Sequence, residues 1–315
     1  GCKKLAVDIG SRKKAIKTAI HELRPNETLL VAGKGHEETQ DYGNKIINFS
    51  DKKIIKEIIH KRKFSFKKIH YQDFLLRKIF DNNLKNVNYN GVSINTKTIK
   101  KNNLFFAIKG KNTDGHKFVK EAIKKGAIKL VVSKKIKQLS NNKIIKVKNT
   151  FSTLNNLAKI TRDNSSAQII AITGSVGKTT LKNLISFSLR NYGKVYHSPY
   201  SYNNRFGVPL SLSNLKSNID YGVFEIGMDK KGEIDNLSKI VKPEIAIITN
   251  ISEAHLKNFN TLKDIAKAKA EIINNISKGG NIVLNKDSEF FSFLSNKAKK
   301  KGINVTTFSL TKGSD

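Results

Sequence analysis

The segment that most constrains this chain is Ile169-Ile170-Ala171-Ile172-Thr173-Gly174-Ser175-Val176-Gly177-Lys178-Thr179-Thr180. Its apolar run predicts a buried strand, and the spacing beyond Thr180 predicts a helix. A strand that turns through glycines straight into a helix aims backbone N–H groups and the positive helix end at one point. Phosphate suits such a point. Gly174, Ser175, Val176, Gly177, Lys178, Thr179 and Thr180 are therefore candidate nucleotide-binding residues. Lys178 would face the β/γ-phosphates and Thr179 would ligate Mg²⁺. The strict pattern has a glycine where Ile172 stands, so this is a shortened variant. A glycine turn that binds nothing is the bland alternative.

The pattern around this loop alternates strand and helix: Ile169 to Thr173, Thr180 to Arg190, Tyr221 to Ile226, Glu244 to Thr249, Leu262 to Ile273, Asn281 to Leu284. Apolar strands alternating with helices predict an α/β fold with a P-loop-containing, mostly parallel, doubly wound central domain over residues 166–315. The polar run Asp163-Asn164-Ser165-Ser166 marks its start. Residues 63–165 read as a small α/β domain with a linking helix, Thr150 to Arg162. Its strands are Leu104 to Ile108 and Ile128 to Val132, and its helix, Lys117 to Lys125, is closed by Gly126. Residues 1–62 read as a partial Rossmann-like segment. An amphipathic stretch, Arg12 to Leu23, leads to a strand, Thr28 to Ala32, a turn, Gly33 to Glu37, and a helix, Asp51 to His60, capped by Ser50 or Asp51.

Composition narrows the class. The 315 residues carry 59 basic and 25 acidic side chains, a net charge of +34. Lysines outnumber arginines by 52 to 7 and are spread along the whole chain. Clustered arginines would suit phosphate and base edges better. The charge therefore reads as drift rather than as a nucleic-acid surface, and no specific nucleic acid is expected. No apolar run approaches a membrane span. The single Cys2 excludes a disulfide framework and points to a reducing, cytoplasmic setting. The chain begins at Gly1 rather than Met, so a fragment is expected and a missing signal peptide carries little weight. A monomer is the simple expectation.

Two carboxyl-end positions complete the candidate chemistry. Glu225 ends the apolar strand Tyr221 to Ile226, a position suited to hold Mg²⁺ beside a phosphate loop. His255 follows the next strand, past Thr249-Asn250-Ile251, and Lys269 lies on the helix beyond it. A histidine alone is more often packed or on the surface, and a lysine alone means nothing in so basic a chain.

Together these residues resemble the Mur ligases of peptidoglycan synthesis. The similarity runs from about Asn86 to the C-terminus and is strongest to the members that add D-Ala-D-Ala to UDP-MurNAc-tripeptide. The phosphate loop carries it, with the asparagine-rich substrate loop Tyr202-Asn203-Asn204-Arg205-Phe206-Gly207-Val208-Pro209. So do the glutamate strand Phe224-Glu225-Ile226-Gly227-Met228 with Gly232-Glu233-Ile234, then Thr249-Asn250-Ile251 with Ala254-His255-Leu256, and Ala268-Lys269-Ala270-Glu271-Ile272. The resemblance implies ATP and Mg²⁺ as cofactors, Asn285 as a further nucleotide contact, and Asn203 and Asn204 as substrate contacts. It implies metal ligation by Thr179, Glu225, His255 and Lys269, the last as a possible carbamate, with Lys178, His255 and Lys269 catalytic. Asn88 to Val132 resembles the family's UDP-binding domain, through Leu104 to Gly110, Asp114-Gly115-His116-Lys117-Phe118 and Ala122 to Ala127. Where the family has Asp-Ser/Thr-Arg, this chain has Asn95-Thr96-Lys97. Thr96 keeps the hydroxyl and is the substrate candidate there, while Asn95 and Lys97 are weaker ones.

Ala32-Gly33-Lys34-Gly35-His36-Glu37 is similar to the C-terminal signature of a different family member, which adds the third amino acid. That similarity implies Gly33 and Glu37 as amino-acid contacts, with a plain glycine turn as the alternative. The resemblance implies that the family's Asp-Asn-Pro-Arg motif would lie upstream of residues 1–62, and that residues 166–315 form an incomplete central domain expected to stop before the family's own C-terminal domain. The chain is therefore expected to bind UDP-MurNAc-tripeptide yet form no product alone. A fusion fragment, a non-catalytic remnant and a basic P-loop nucleic-acid NTPase stay open as alternatives.

Overall fold

A computed structural model describes residues 8–22, 28–33, 37–59, 79–80, 87, 89–136, 139–253, 258–311 and 313. They fall into two compact units, residues 1–72 and 73–315.

In the first unit, helix α1 (Arg12–Glu22) precedes an antiparallel hairpin of β1 (Thr39–Asp41) and β2 (Ile46–Asn48). Helix α2 covers residues 51–59. Ile16 and Ile20, one helical turn apart, meet Phe49 and Ile54 in a small core. Arg12 clamps the unit, its Nε and Nη2 donating to Asp51 Oδ1 and Oδ2 at 2.9 and 2.6 Å. The strand expected over Thr28 to Ala32 is not formed. Leu29 and Val31 do turn toward the core while Leu30 is exposed, but no neighbouring strand pairs with them among the described residues. Arg12 Nη2 takes the Ala32 carbonyl instead, at 2.8 Å.

The second unit opens with a parallel four-stranded sheet, β3 (Gly91–Ser93), β4 (Asn103–Phe106), β5 (Lys129–Val132) and β6 (Ile144–Lys146), in that spatial order. Between β4 and β5 lies α3 (Val119–Lys124), which Gly126 closes at φ +94°. Phe105, Leu130 and Val132 fill the core against Val119 and Ala122. Helix α4 (Thr150–Asp163) then leads onward, started by Asn149 Oδ1, which accepts from Ser152 N at 2.9 Å.

Six strands and five helices follow: β7 (Gln168–Thr173), α5 (Lys178–Leu189), β8 (Val195–His197), α6 (Gly207–Ser213), β9 (Tyr221–Glu225), α7 (Glu233–Val241), β10 (Ile245–Ile248), α8 (Leu262–Lys269), β11 (Asn281–Asn285), α9 (Phe291–Lys300) and β12 (Asn304–Phe308). The strands form one parallel sheet in the order β12-β11-β10-β7-β9-β8. Side chains alternate across β7. Ile169 and Ala171 join the core beneath α6 to α9, whereas Ile170 and Ile172 face Leu181, Ile185 and Leu189 of α5. Both faces are covered, so the sheet is doubly wound. The chain leaves β7 toward β8 and β9 but leaves β10 toward β11, and such a reversal opens a crevice at the strands' carboxyl ends.

Asn214, just past α6, ties that helix to the four-stranded sheet. Its Oδ1 accepts from Val92 N at 2.8 Å and its Nδ2 donates to Val92 O at 3.0 Å. Among the described residues no helix is long and apolar enough to cross a membrane.

Candidate functional site

The glycine loop sits in that crevice. Gly174 has φ +152°, and a side chain there would collide with Thr249 Oγ1. Gly177, at φ +80°, begins α5 without a side-chain cap. The helix therefore presents its N-terminal N–H groups outward, as an anion site requires. The loop is pinned by the segment after β10: Val176 N donates to Asn250 Oδ1 at 3.0 Å, and Thr249 Oγ1 donates to Val176 O at 2.7 Å. Ser175 Oγ donates to Ser252 O at 2.8 Å. Lys178 folds back, its Nζ donating to Gly174 O at 2.8 Å and Ser175 O at 3.1 Å. Burial lowers its pKa, against a raising pull from Glu225. Thr180 is exposed at the rim.

Glu225 is the hub of the site. It is buried at the end of β9, where Thr179 Oγ1 donates to its Oε2 at 2.7 Å and Asn203 Nδ2 to its Oε1 at 2.7 Å. Gly227 has to lack a side chain, since a Cβ would lie 2.9 Å from Asn203 Cγ. A third neighbour was not anticipated from sequence: Lys182, one turn beyond Lys178, is 1% exposed with its Nζ 3.9 Å from Glu225 Oε2. Its helical spacing from Lys178 was the available signal, and the abundance of lysine hid it.

Lys269 is 2% exposed at the end of α8, and burial, with the positive charge of Lys178, lowers its pKa to about 7. A neutral amine at ordinary pH is the form that reacts with carbon dioxide. Glu271, two residues on, serves structure instead, accepting from Gly232 N at 2.8 Å and Asp235 N at 3.1 Å at the start of α7. Asn285 ends β11 on the same sheet edge, its Oδ1 accepting from Asp287 N at 2.9 Å. His255 lies outside the described residues. Among those described, no three His, Cys, Asp or Glu side chains converge. Thr179 and Glu225 do bring a hydroxyl and a carboxylate oxygen together. Such hard oxygen donors fit Mg²⁺, which takes few protein ligands and completes its shell with phosphate and water.

A cavity of about 530 Å³ opens between the loops of the four-stranded sheet and the segment running from Tyr202 into α6. Asn95, Thr96 and Lys97 line it from one side, and Tyr202, Asn204 and Phe206 from the other. Thr96 and Asn204 thus meet at one cavity, while Asn203, beside Asn204, points to Glu225. Asn204 Oδ1 also starts α6, accepting from Phe206 N and Gly207 N at 3.0 Å. In the first unit, Gly33 lies against Arg12, whose pKa is raised by its hydrogen bond to Asp51 and, less, by the charges of Asp51 and Glu37. Lys34 to His36 of that turn are outside the described residues.

Residues 172–315 match the Mur ligase middle domain, and residues 88–165 match the family's catalytic domain. The chain belongs to the Mur ligase family. A UDP-N-acetylmuramoyl-tripeptide–D-alanyl-D-alanine ligase of Rickettsia prowazekii is 43% identical over 206 residues, 65% of this chain and 46% of that protein. Its counterpart in Bacillus subtilis is 35% identical over 194 residues, 61% of this chain and 42% of that protein. The crystal structure of MurF from Thermotoga maritima in complex with ADP superposes with a TM-score of 0.62 at 30% identity, covering 74% of this chain and 53% of that one. MurF from Acinetobacter baumannii superposes at 0.67 and 28% identity, covering 77% and 53%. This Mur ligase chain therefore spans about half the length of the relatives it matches.

Proposed function

We propose that this chain is the nucleotide- and substrate-binding part of an ATP-dependent ligase that joins D-Ala-D-Ala to UDP-MurNAc-tripeptide through an acyl phosphate, in the cytoplasm. The observation that carries this reading is the Thr179–Glu225 pair, 2.7 Å apart at the phosphate loop, with Lys269 buried close enough to Lys178 to feel its charge. In this reading residues 166–315 bind ATP, residues 63–165 bind the nucleotide sugar, and residues 1–62 are a separate amino-acid-contacting segment with Gly33 and Glu37. Thr96 and Asn204 contact the UDP-sugar across the cavity they line.

The carboxylate of the tripeptide attacks the γ-phosphorus, ADP leaves, and the amine of D-Ala-D-Ala then displaces phosphate. Lys178 swings from its two loop carbonyls onto the β/γ-phosphates and offsets charge there. The α5 N-terminus and loop N–H groups hold the remaining oxygens. Thr179 and Glu225 would hold one Mg²⁺, and His255 with a carbamate on Lys269 would hold a second. Mg²⁺ supplies charge neutralisation at the transferring phosphoryl group. Carbamylation would turn Lys269 from a repeller of Lys178 into an attractor and supply the oxygen ligands that Mg²⁺ prefers.

The test is nucleotide titration with Mg²⁺ on the native chain and on Lys178→Ala. The native chain binds, and the variant loses ATP. Unchanged ATP affinity in the variant would falsify the phosphate-loop assignment. Product formation from labelled D-Ala-D-Ala, measured on a chain extended to its relatives' length, then tests the reaction itself.

A further inference from the structure

We propose that Lys182 is a positioning residue that joins the Thr179–Glu225 cation site to the loop over residues 198–204, setting the affinity of the cation site against that of the cavity. Two contacts and one backbone angle carry this. Its Nζ stands 3.9 Å from Glu225 Oε2, both side chains being almost wholly buried. The same Nζ donates to the carbonyl of Tyr200. Tyr200 itself sits at φ +46°, a conformation that a non-glycine side chain keeps only where its surroundings hold it.

The loop held in this way serves both sites. Asn203 reaches Glu225 Oε1 at 2.7 Å, while Tyr202 and Asn204 line the cavity. One ammonium therefore does two things. It adds a positive charge beside the carboxylate that a cation would use, which weakens cation binding. It also fixes the backbone that shapes one wall of the cavity, which strengthens binding there. A residue important only for folding would move both affinities downward. Lys182 should move them in opposite directions.

The inference rests on the functional reading above, and the experiment separates the two. Mn²⁺, in the presence of a saturating non-hydrolysable ATP analogue, and UDP-MurNAc-tripeptide are each titrated into the native chain, Lys182→Met and Lys182→Gln. Removing the like charge should tighten Mn²⁺ about tenfold in both variants. Losing the bond to Tyr200 should weaken UDP-MurNAc-tripeptide about fivefold in Lys182→Met. Lys182→Gln keeps an N–H donor and should retain most of that affinity. Any pattern in which the two ligands move together, or neither moves, overturns the role of Lys182 alone. A native chain that binds neither ligand overturns the functional reading and this inference with it.

Discussion

Lys269 shows how placement alone changes the chemistry of a common residue. On the surface it would be one of many charged lysines. Enclosed at the end of α8 beside Lys178, it is held at about 7 against an ordinary value of 10.5. Between those two values the unfolded chain carries a proton that the folded chain has shed. The unfolded state then binds more protons, so this residue's contribution to stability rises with pH across that window. Below about 7 both states are protonated, and the cost of burying the charge is fully present. Lys269→Met removes the titration. Denaturant unfolding of native chain and variant from pH 6.5 to 9.5 should show the native chain gaining on the variant as pH rises. Parallel curves would contradict the buried, neutral amine.

At the scale of elements, the β7–α5 turn depends on one glycine. Gly174 combines φ +152° with a backbone approach to Thr249 that leaves no room for a Cβ. Gly174→Ala should cost about 1–3 kcal/mol of stability and abolish nucleotide binding, as denaturation and ATP titration would report. This turn was legible in the sequence because its signal is local: apolar strand, glycines, lysine and hydroxyl, helix. Strands β3, β6 and β8 were not legible, since three residues cannot show a period. Helix α6 was missed because all seven of its residues are buried, which erases the polar face that reveals a helix. Thr28 to Ala32 shows the reverse error, an apolar run that no strand pairs with among the described residues. The same split holds for the site. Lys178, Thr179 and Glu225 stood in recognisable motifs and come together. The contact between Asn250 and Val176 joins distant segments and could not be read from either alone. Lys182 was hidden by composition rather than by distance.

For the whole molecule, the charge of +34 has to be reconciled with a site for anions. Net charge acts through long-range attraction and solubility and leaves the fold to packing. It has the sign that would draw phosphate-bearing ligands, such as the ATP and nucleotide sugar proposed above, toward the crevice. Residues that would turn such a field into sequence-specific nucleic-acid recognition are scarce, with 7 arginines against 52 lysines. The two roles differ in how they respond to salt. A nucleotide held by Lys178, the loop N–H groups and the α5 N-terminus keeps most of its binding when distant charges are screened, and only its association slows. Random duplex DNA, held by dispersed lysines alone, releases counterions on binding and should lose affinity steeply as salt rises. Titrations of ATP and of random DNA between low and physiological salt should therefore diverge, with ATP affinity changing modestly and DNA binding becoming weak and independent of sequence. A tight, sequence-selective DNA complex at physiological salt would instead place this chain among the nucleic-acid NTPases that its charge superficially suggests.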